Sequence, residues 1–301
     1  MEKIYLSDAG PKVSPAIYGF WRWTKKQAQS ASQMEKIVRF CLEHGINTFD
    51  HADRYGEYSA EKTFGQLLKT AGINRADLVL FSKAGVNLPC ESKPNFRIQH
   101  FDSSANHITH SVEESLKNLQ TDYLDVYLLD HLDPLADLEA TALALQKLKA
   151  AGKIKNIGIS GFSAHQHQLL ASYLNIPVVS SHIDLSLLNS SALEDGTFDY
   201  IKQKYMRPLA VSPLAGGQIE HGTDELSIRV RKKLQEIAKK YDSNLESIAV
   251  AWILKLGALP LIGTLEENRI NNIVKAFEIE LDQQDWYELY YTSQSSVQFF
   301  H

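Results

Sequence analysis

Eight short apolar stretches recur along the 301-residue chain, separated by segments with helical spacing, and no other feature restricts the fold as tightly. They are AIYGF (16–20), INTFD (46–50), LVLFSK (78–83), YLDVYLL (123–129), KNIGIS (155–160), PVVSSHI (177–183), PLAVS (208–212) and LPLIG (259–263). Met34, Ile37, Val38, Cys41 and Leu42 mark one face of an intervening helix, and Gly45 suits its exit. Ile108, Val112, Leu116 and Leu119 mark another, just before YLDVYLL. Strands alternating with helices in this way predict an α/β chain whose parallel sheet closes into a (β/α)₈ TIM barrel, one domain over residues 1–301. The opening KIYLSDAGPKVSP reads as a β-hairpin that closes the barrel's lower end. A doubly wound sheet is the alternative.

Composition narrows the function classes. A formal charge of −5 does not suggest general attraction to nucleic acid or to an anionic membrane. No apolar run approaches the roughly 20 residues of a membrane span, and MEKIYLSDAGPKVSP lacks the apolar core of a secretory signal, so a cytoplasmic protein is expected. Cys41 and Cys90 are too few for a disulfide framework or a thiolate metal cage.

A barrel of this kind carries its chemistry at the C-terminal ends of its strands. Those ends hold Trp21, Asp50, Lys83, His131, Ser160, His182, Ser212 and Gly263, a polar or glycine-bearing rim. The long connection 84–107 is expected over the mouth. The glycines of LAGGQIEHGTDEL, near a helix start, suit the approach of backbone amides to an anion. NLESIAVAWILKLG is apolar nearly all round, which makes Trp252 a core residue, and the ending SSVQFFH either covers the mouth or frays. His51 with Asp53, or His131 with Asp133, offers nitrogen and oxygen ligands, but neither pair completes a coordination shell, so no metal is expected. Asp53 and Arg54 read as charges of a turn.

Several of these segments together resemble the aldo-keto reductase family, in family order and over nearly the whole chain, most closely a bacterial branch of oxidoreductases. FDHADRYG is similar to its F-D-x-A-x-x-Y-G segment, VLFSKAG to its lysine-bearing strand and VYLLDHLDP to its histidine-bearing strand. GISGF resembles G-x-S-N-F, LAVSPLAGG the phosphate loop S-P-L-x-x-G, and PLIGTLEENRI the segment holding the adenosine end of NADP(H). The resemblance implies Asp50, Tyr55, Lys83 and His131 as catalytic residues and NADP(H) as cofactor. It assigns Trp21 to the cofactor site, Ser160 and His182 to the nicotinamide side, Ser212, Leu214, Gly216 and Gly217 to the pyrophosphate, and Gly263, Thr264 and Arg269 to the adenosine end. Gly161 replaces the usual asparagine, His182 a glutamine, Val211 an aromatic residue and Gly263 a lysine.

The chemistry of such a set is carbonyl reduction. Hydride arrives from a nicotinamide while a proton donor meets the developing alkoxide. A phenol with its usual pKa of about 10 is a slow acid, which a nearby ammonium improves. Tyr55 and Lys83 fit that pairing, Asp50 orients the lysine, and His131 bonds the carbonyl oxygen or helps pass the proton. The expected partner is a small aldehyde, ketone or alcohol. A nicotinamide-binding regulatory or sensor protein with little turnover is the alternative.

Overall fold

Period-two alternation along each strand decides which side chains enter the barrel. In VLFSKA, Val79 and Phe81 join an inner apolar cluster, whereas Leu80 and Ala84 pack outward against helices. VYLLD repeats the division, with Val126 and Leu128 inside and Tyr127 and Leu129 outside. The structure, a computed structural model, describes residues 1–294; SSVQFFH lies outside the described residues.

Strands β1 (Ile17–Gly19), β2 (Thr48–Asp50), β3 (Val79–Ala84), β4 (Val126–Asp130), β5 (Ile157–Ser160), β6 (Val178–Asp184), β7 (Pro208–Val211) and β8 (Leu259–Ile262) form a closed barrel in chain order. Every neighbouring pair is parallel, and β8 returns to β1 through Leu261 opposite Ile17 and Ile262 opposite Tyr18. Closure removes both sheet edges and with them the doubly wound alternative.

Helices α1 (Ala31–Glu43), α2 (Ala60–Thr70), α3 (Ala105–Leu119), α4 (Leu138–Ala150), α5 (Ala164–Tyr173) and α6 (Thr197–Gln203) link successive strands. Both α7 (Glu225–Lys240) and α8 (Leu245–Lys255) separate β7 from β8, and α9 (Glu267–Lys275) and α10 (Gln283–Ser293) follow the last strand. Their starts are chemically marked: Ser30, Ser104, Asp137, Ser163, Asp224, Asn244 and Asp282 each accept a backbone N–H three residues on. Each such cap stabilises its helix by about 1 kcal/mol. Trp252 of α8 is fully buried and stacks on Trp286 of α10, ring centroids 5.1 Å apart, as its apolar surroundings in sequence imply.

Ile4–Tyr5 and Lys12–Val13 pair as the expected hairpin. Its Leu6 and Val13 enter the inner cluster from beneath, beside Ile17, Val79, Val126 and Leu209. Two bonds pin it there, from the Arg207 amide to the Leu6 carbonyl (2.8 Å) and from the Ser14 amide to Thr48 Oγ1 (2.9 Å). The lower end is therefore sealed with apolar side chains, leaving the opposite end for chemistry.

Three strands end one residue later than their sequence expectation, β3 at Ala84, β6 at Asp184 and β4 at Asp130, and the last of these bears on the site. YLDVYLL (123–129) predicts a strand ending at Leu129, but β4 covers 126–130. The Asp125 carboxylate accepts the Leu80 amide (2.9 Å) and the Arg75 guanidinium (2.8 Å), which holds the segment's start by side-chain bonds. The strand itself ends one residue later, at Asp130.

Candidate active site

The later ending of β4 changes the rim. Residues 126, 128 and 130 share the inner face, so the carboxylate of Asp130, 1% exposed, points into the mouth beside Lys83 of β3. His131, expected at this strand end as a catalytic residue, lies just outside the strand with a left-handed backbone (φ 64°) and a side chain 46% exposed. Its Nδ1 donates to Asp130 Oδ1 at 3.1 Å, and its ring stacks on Phe101, centroids 5.5 Å apart. Phe101 belongs to the connection 84–107, whose own short hairpin pairs Val86–Asn87 with His100–Phe101. His131 still borders the mouth, at its rim.

Asp50, Lys83 and Tyr55 come together as expected. Lys83 Nζ donates to Asp50 Oδ2 at 2.5 Å and to the His51 carbonyl at 3.1 Å, and sits 4.8 Å from the centre of the Tyr55 ring. All three residues are buried. Burial works against the Lys83 charge, but Asp50, Tyr55 and Asp130 outweigh it and raise its pKa, so it stays an ammonium. Burial also pushes the Tyr55 phenol up to about 12, with Lys83 and Arg54 pulling the other way. The sequence expectation that Lys83 eases proton release holds in direction, while desolvation is the larger effect.

Two residues read as turn charges are part of this site or packed behind it. Arg54 Nη1 lies 2.8 Å from Asp130 Oδ2, and the guanidinium is 5.2 Å from the Tyr55 ring centre. Burial opposes ionisation of Asp130, yet the His131 bond and the Arg54 and Lys83 charges hold its carboxyl well below the usual range. Asp53 is pushed up to about 7 by burial and by the nearby Glu61. His51 packs between Phe20 and Phe64, each 4.5 Å away by ring centres, and burial and Lys83 push it down to about 3.

The cavity above these groups has a volume of about 170 Å³ and is also bordered by Ser160, Gly161, His182 and Val211. His182 lies over Phe81 (6.2 Å between ring centres), with Nδ1 3.9 Å from Asp50 Oδ1. Burial and Lys83 press its pKa well down, so the ring is neutral, and neither ring nitrogen has a hydrogen-bond partner. Gly161, at φ 69°, gives His131 its space: a β-carbon there would come within 2.7 Å of His131 Nε2.

A second groove adjoins the first, between the loops after β7 and β8. Ser212, Leu214 and Gly216 line one wall, with Gly263, Thr264 and Arg269 on the other. Gly217 does not line it but holds the left-handed turn (φ 97°) that directs the β7 loop. Trp21 borders both cavities, its indole lying over Gly19 and Gly263 where β-carbons would approach it to 2.5 and 3.0 Å. Arg22, absent from the sequence expectations, donates from Nη2 to the Gly216 carbonyl at 3.1 Å and spans the groove. Arg269 donates from Nε to Glu246 Oε1 at 2.6 Å and has Glu220 Oε2 3.8 Å from Nη2.

The aldo/keto reductase family model matches residues 15–290. The chain belongs to the aldo-keto reductase family. This aldo-keto reductase is 36% identical over 296 residues to YcsN, an uncharacterised oxidoreductase of Bacillus subtilis, covering 96% of this chain and 97% of that one. It is 35% identical over 292 residues to a 6-dehydroglucose reductase of Agrobacterium fabrum, again covering 96% and 97%. A thermostable aldo-keto reductase solved with the inhibitor epalrestat superposes with a TM-score of 0.84 at 23% identity, over 97% of this chain and all of that one. Membership makes the protein an oxidoreductase acting on carbonyls, of a family that uses nicotinamide cofactors. The residues present fit such a group: His182 offers two unpartnered buried nitrogens to a carboxamide, and the second groove ends at a guanidinium. Among the described residues no helix is long and apolar enough to cross a membrane.

Proposed function

We propose that this protein is a cytoplasmic NADP(H)-dependent reductase that converts an aldehyde or ketone into an alcohol, with Tyr55 as the proton donor. The observation that carries the reading is the buried Lys83–Asp50 pair beneath the Tyr55 ring, opening on a cavity that adjoins a second groove. A bound nicotinamide supplies the hydride. As charge develops on the carbonyl oxygen, the Tyr55 hydroxyl gives up its proton, and the Lys83 ammonium stabilises the phenolate that remains. Asp50 fixes the direction of Lys83 and offsets its charge in a dry site.

Ser160 and His182 orient the nicotinamide end in this reading. The turn from Ser212 through Leu214, Gly216 and Gly217 takes the pyrophosphate, and Gly263, Thr264 and Arg269 take the adenosine end. Arg269 supports NADP(H) because a guanidinium matches a phosphate bidentately, although a 2′-phosphate must share it with Glu246 and Glu220. Asp130 occupies the last inward position of β4 and His131 the rim beside it, so in this reading the proton relay rests on Tyr55, Lys83 and Asp50, with His131 acting from the rim.

Fluorescence titration of the purified protein with NADPH and NADH, followed by a carbonyl panel with the tighter cofactor, tests the reading. NADPH binding at least about tenfold tighter is expected, with turnover of at least one aldehyde. Failure of both cofactors to bind would sink it.

A further inference from the structure

The backbone just after Tyr55 is strained. Gly56, Glu57 and Tyr58 follow one another in the left-handed region, with φ of 58°, 53° and 65°. L-residues enter that region singly and glycine most readily, so a run that ends in a bulky aromatic residue persists only where its surroundings hold it. The holding contacts come from the connection 84–107. Tyr58 Oη accepts the Leu88 amide at 3.1 Å, and Ser92 Oγ donates to the Glu57 carbonyl at 3.3 Å. Lys25 Nζ lies 2.7 Å from Glu91 and 3.7 Å from Glu57, and Lys93 Nζ is 4.8 Å from the Tyr58 ring centre.

Tyr55 depends on this backbone for its direction. Its ring meets the cations of Arg54 and Lys83 at 5.2 and 4.8 Å, contacts that tolerate sliding, whereas its carbonyl accepts the Ser59 amide at 3.2 Å across the left-handed residues. Unwinding residues 56–58 therefore moves Tyr55. Glycine would suit the backbone at position 58 better, so what the tyrosine adds is the hydroxyl that docks the connection. That docking is polar rather than packed: a cavity of about 350 Å³ remains between Arg54, Glu57 and Tyr58 on one side and Leu88, Pro89 and Cys90 on the other. Glu91 and Ser92 are exposed, and a segment held by a few such bonds opens without unpacking the core.

We propose that Tyr58 is a positioning residue for Tyr55: with the segment Leu88–Lys93 docked it holds the left-handed turn that keeps the Tyr55 ring against Lys83, and lifting of the segment releases both. The effect on reduction rests on the reductase reading, and the effect on the ring does not. Three readouts on the NADPH complex test it: hydrogen exchange of the Leu88 amide, the Cζ resonance of Tyr55 in tyrosine-labelled protein, assigned with Tyr55→Phe, and single-turnover reduction of an accepted aldehyde. Tyr58→Phe keeps the ring and loses the hydroxyl, and Tyr58→Gly suits the backbone and loses the anchor. Lys25→Met/Ser92→Ala cuts the other ties without touching the turn, and circular dichroism checks that each variant folds.

In each folded variant the Leu88 amide is expected to exchange about tenfold faster and the Tyr55 resonance to shift or split. Reduction is expected to slow by about tenfold, with NADPH affinity unchanged. A wild-type reduction rate in a folded variant whose Leu88 amide exchanges freely overturns the proposal, as does an unchanged Tyr55 resonance or a loss of rate matched by a loss of NADPH affinity. A Leu88 amide already unprotected in wild type overturns it too. If wild type reduces no aldehyde, the reductase reading fails, and the Tyr55 resonance alone decides the positioning role.

Discussion

The proton donor shows how burial and charge compete at a single side chain. Desolvation raises Tyr55 to about 12 although Lys83 and Arg54 favour its phenolate. The phenol is therefore protonated far above neutrality, which loads it for reduction and starves it for oxidation. Carbonyl reduction is expected to show no loss attributable to Tyr55 between about pH 6 and 9, while alcohol oxidation, which needs the phenolate, rises about tenfold per pH unit over that span. Initial rates in both directions check this, and a reduction rate falling tenfold per unit there contradicts it. Asp50, Tyr55 and Lys83 were legible in sequence because their spacing agrees with both the strand ends and the family pattern. Arg54 and Asp130 were not, because adjacent charges near a strand end look like a solvated turn until the inward face is known.

At the scale of elements, the apolar stretches placed all eight strands and their C-terminal ends within one residue. One such residue mattered. β4 ends at Asp130, which takes the last inward position, and His131 falls on the rim. The alternation of Val126, Leu128 and Asp130 within VYLLD was the available signal. Helix packing left less trace in sequence: Gly65 of α2 lies so close to α3 that a β-carbon would run into the backbone of Asn118 and Leu119. Backbone cannot yield as a side chain does, so Gly65→Ala is expected to destabilise the protein by about 1–3 kcal/mol, read from urea unfolding midpoints. Cofactor affinity of the folded variant should not change, since this contact lies behind the barrel wall.

The whole molecule turns distant sequence into one surface. Closure of the barrel brings the ends of β2 through β6 around a single mouth, while the hairpin carrying Leu6 and Val13 plugs the other end. That architecture was legible because strand and helix segments alternate through eight strands whose C-terminal ends are polar or glycine-bearing. The paired α7 and α8 and the final α10 were less so, since extra helices leave the strand count unchanged. The fold also brings Arg22 and Arg269 to one groove, Arg269 already paired with Glu246 and Glu220. The central claim is that this mouth reduces carbonyls with the Tyr55 proton, and single-turnover reduction of an accepted aldehyde by the NADPH complex of wild type and Tyr55→Phe tests it most directly. The account predicts equal NADPH affinity and reduction slowed by about 10²–10⁴-fold in the variant; equal reduction rates in the two proteins would contradict it.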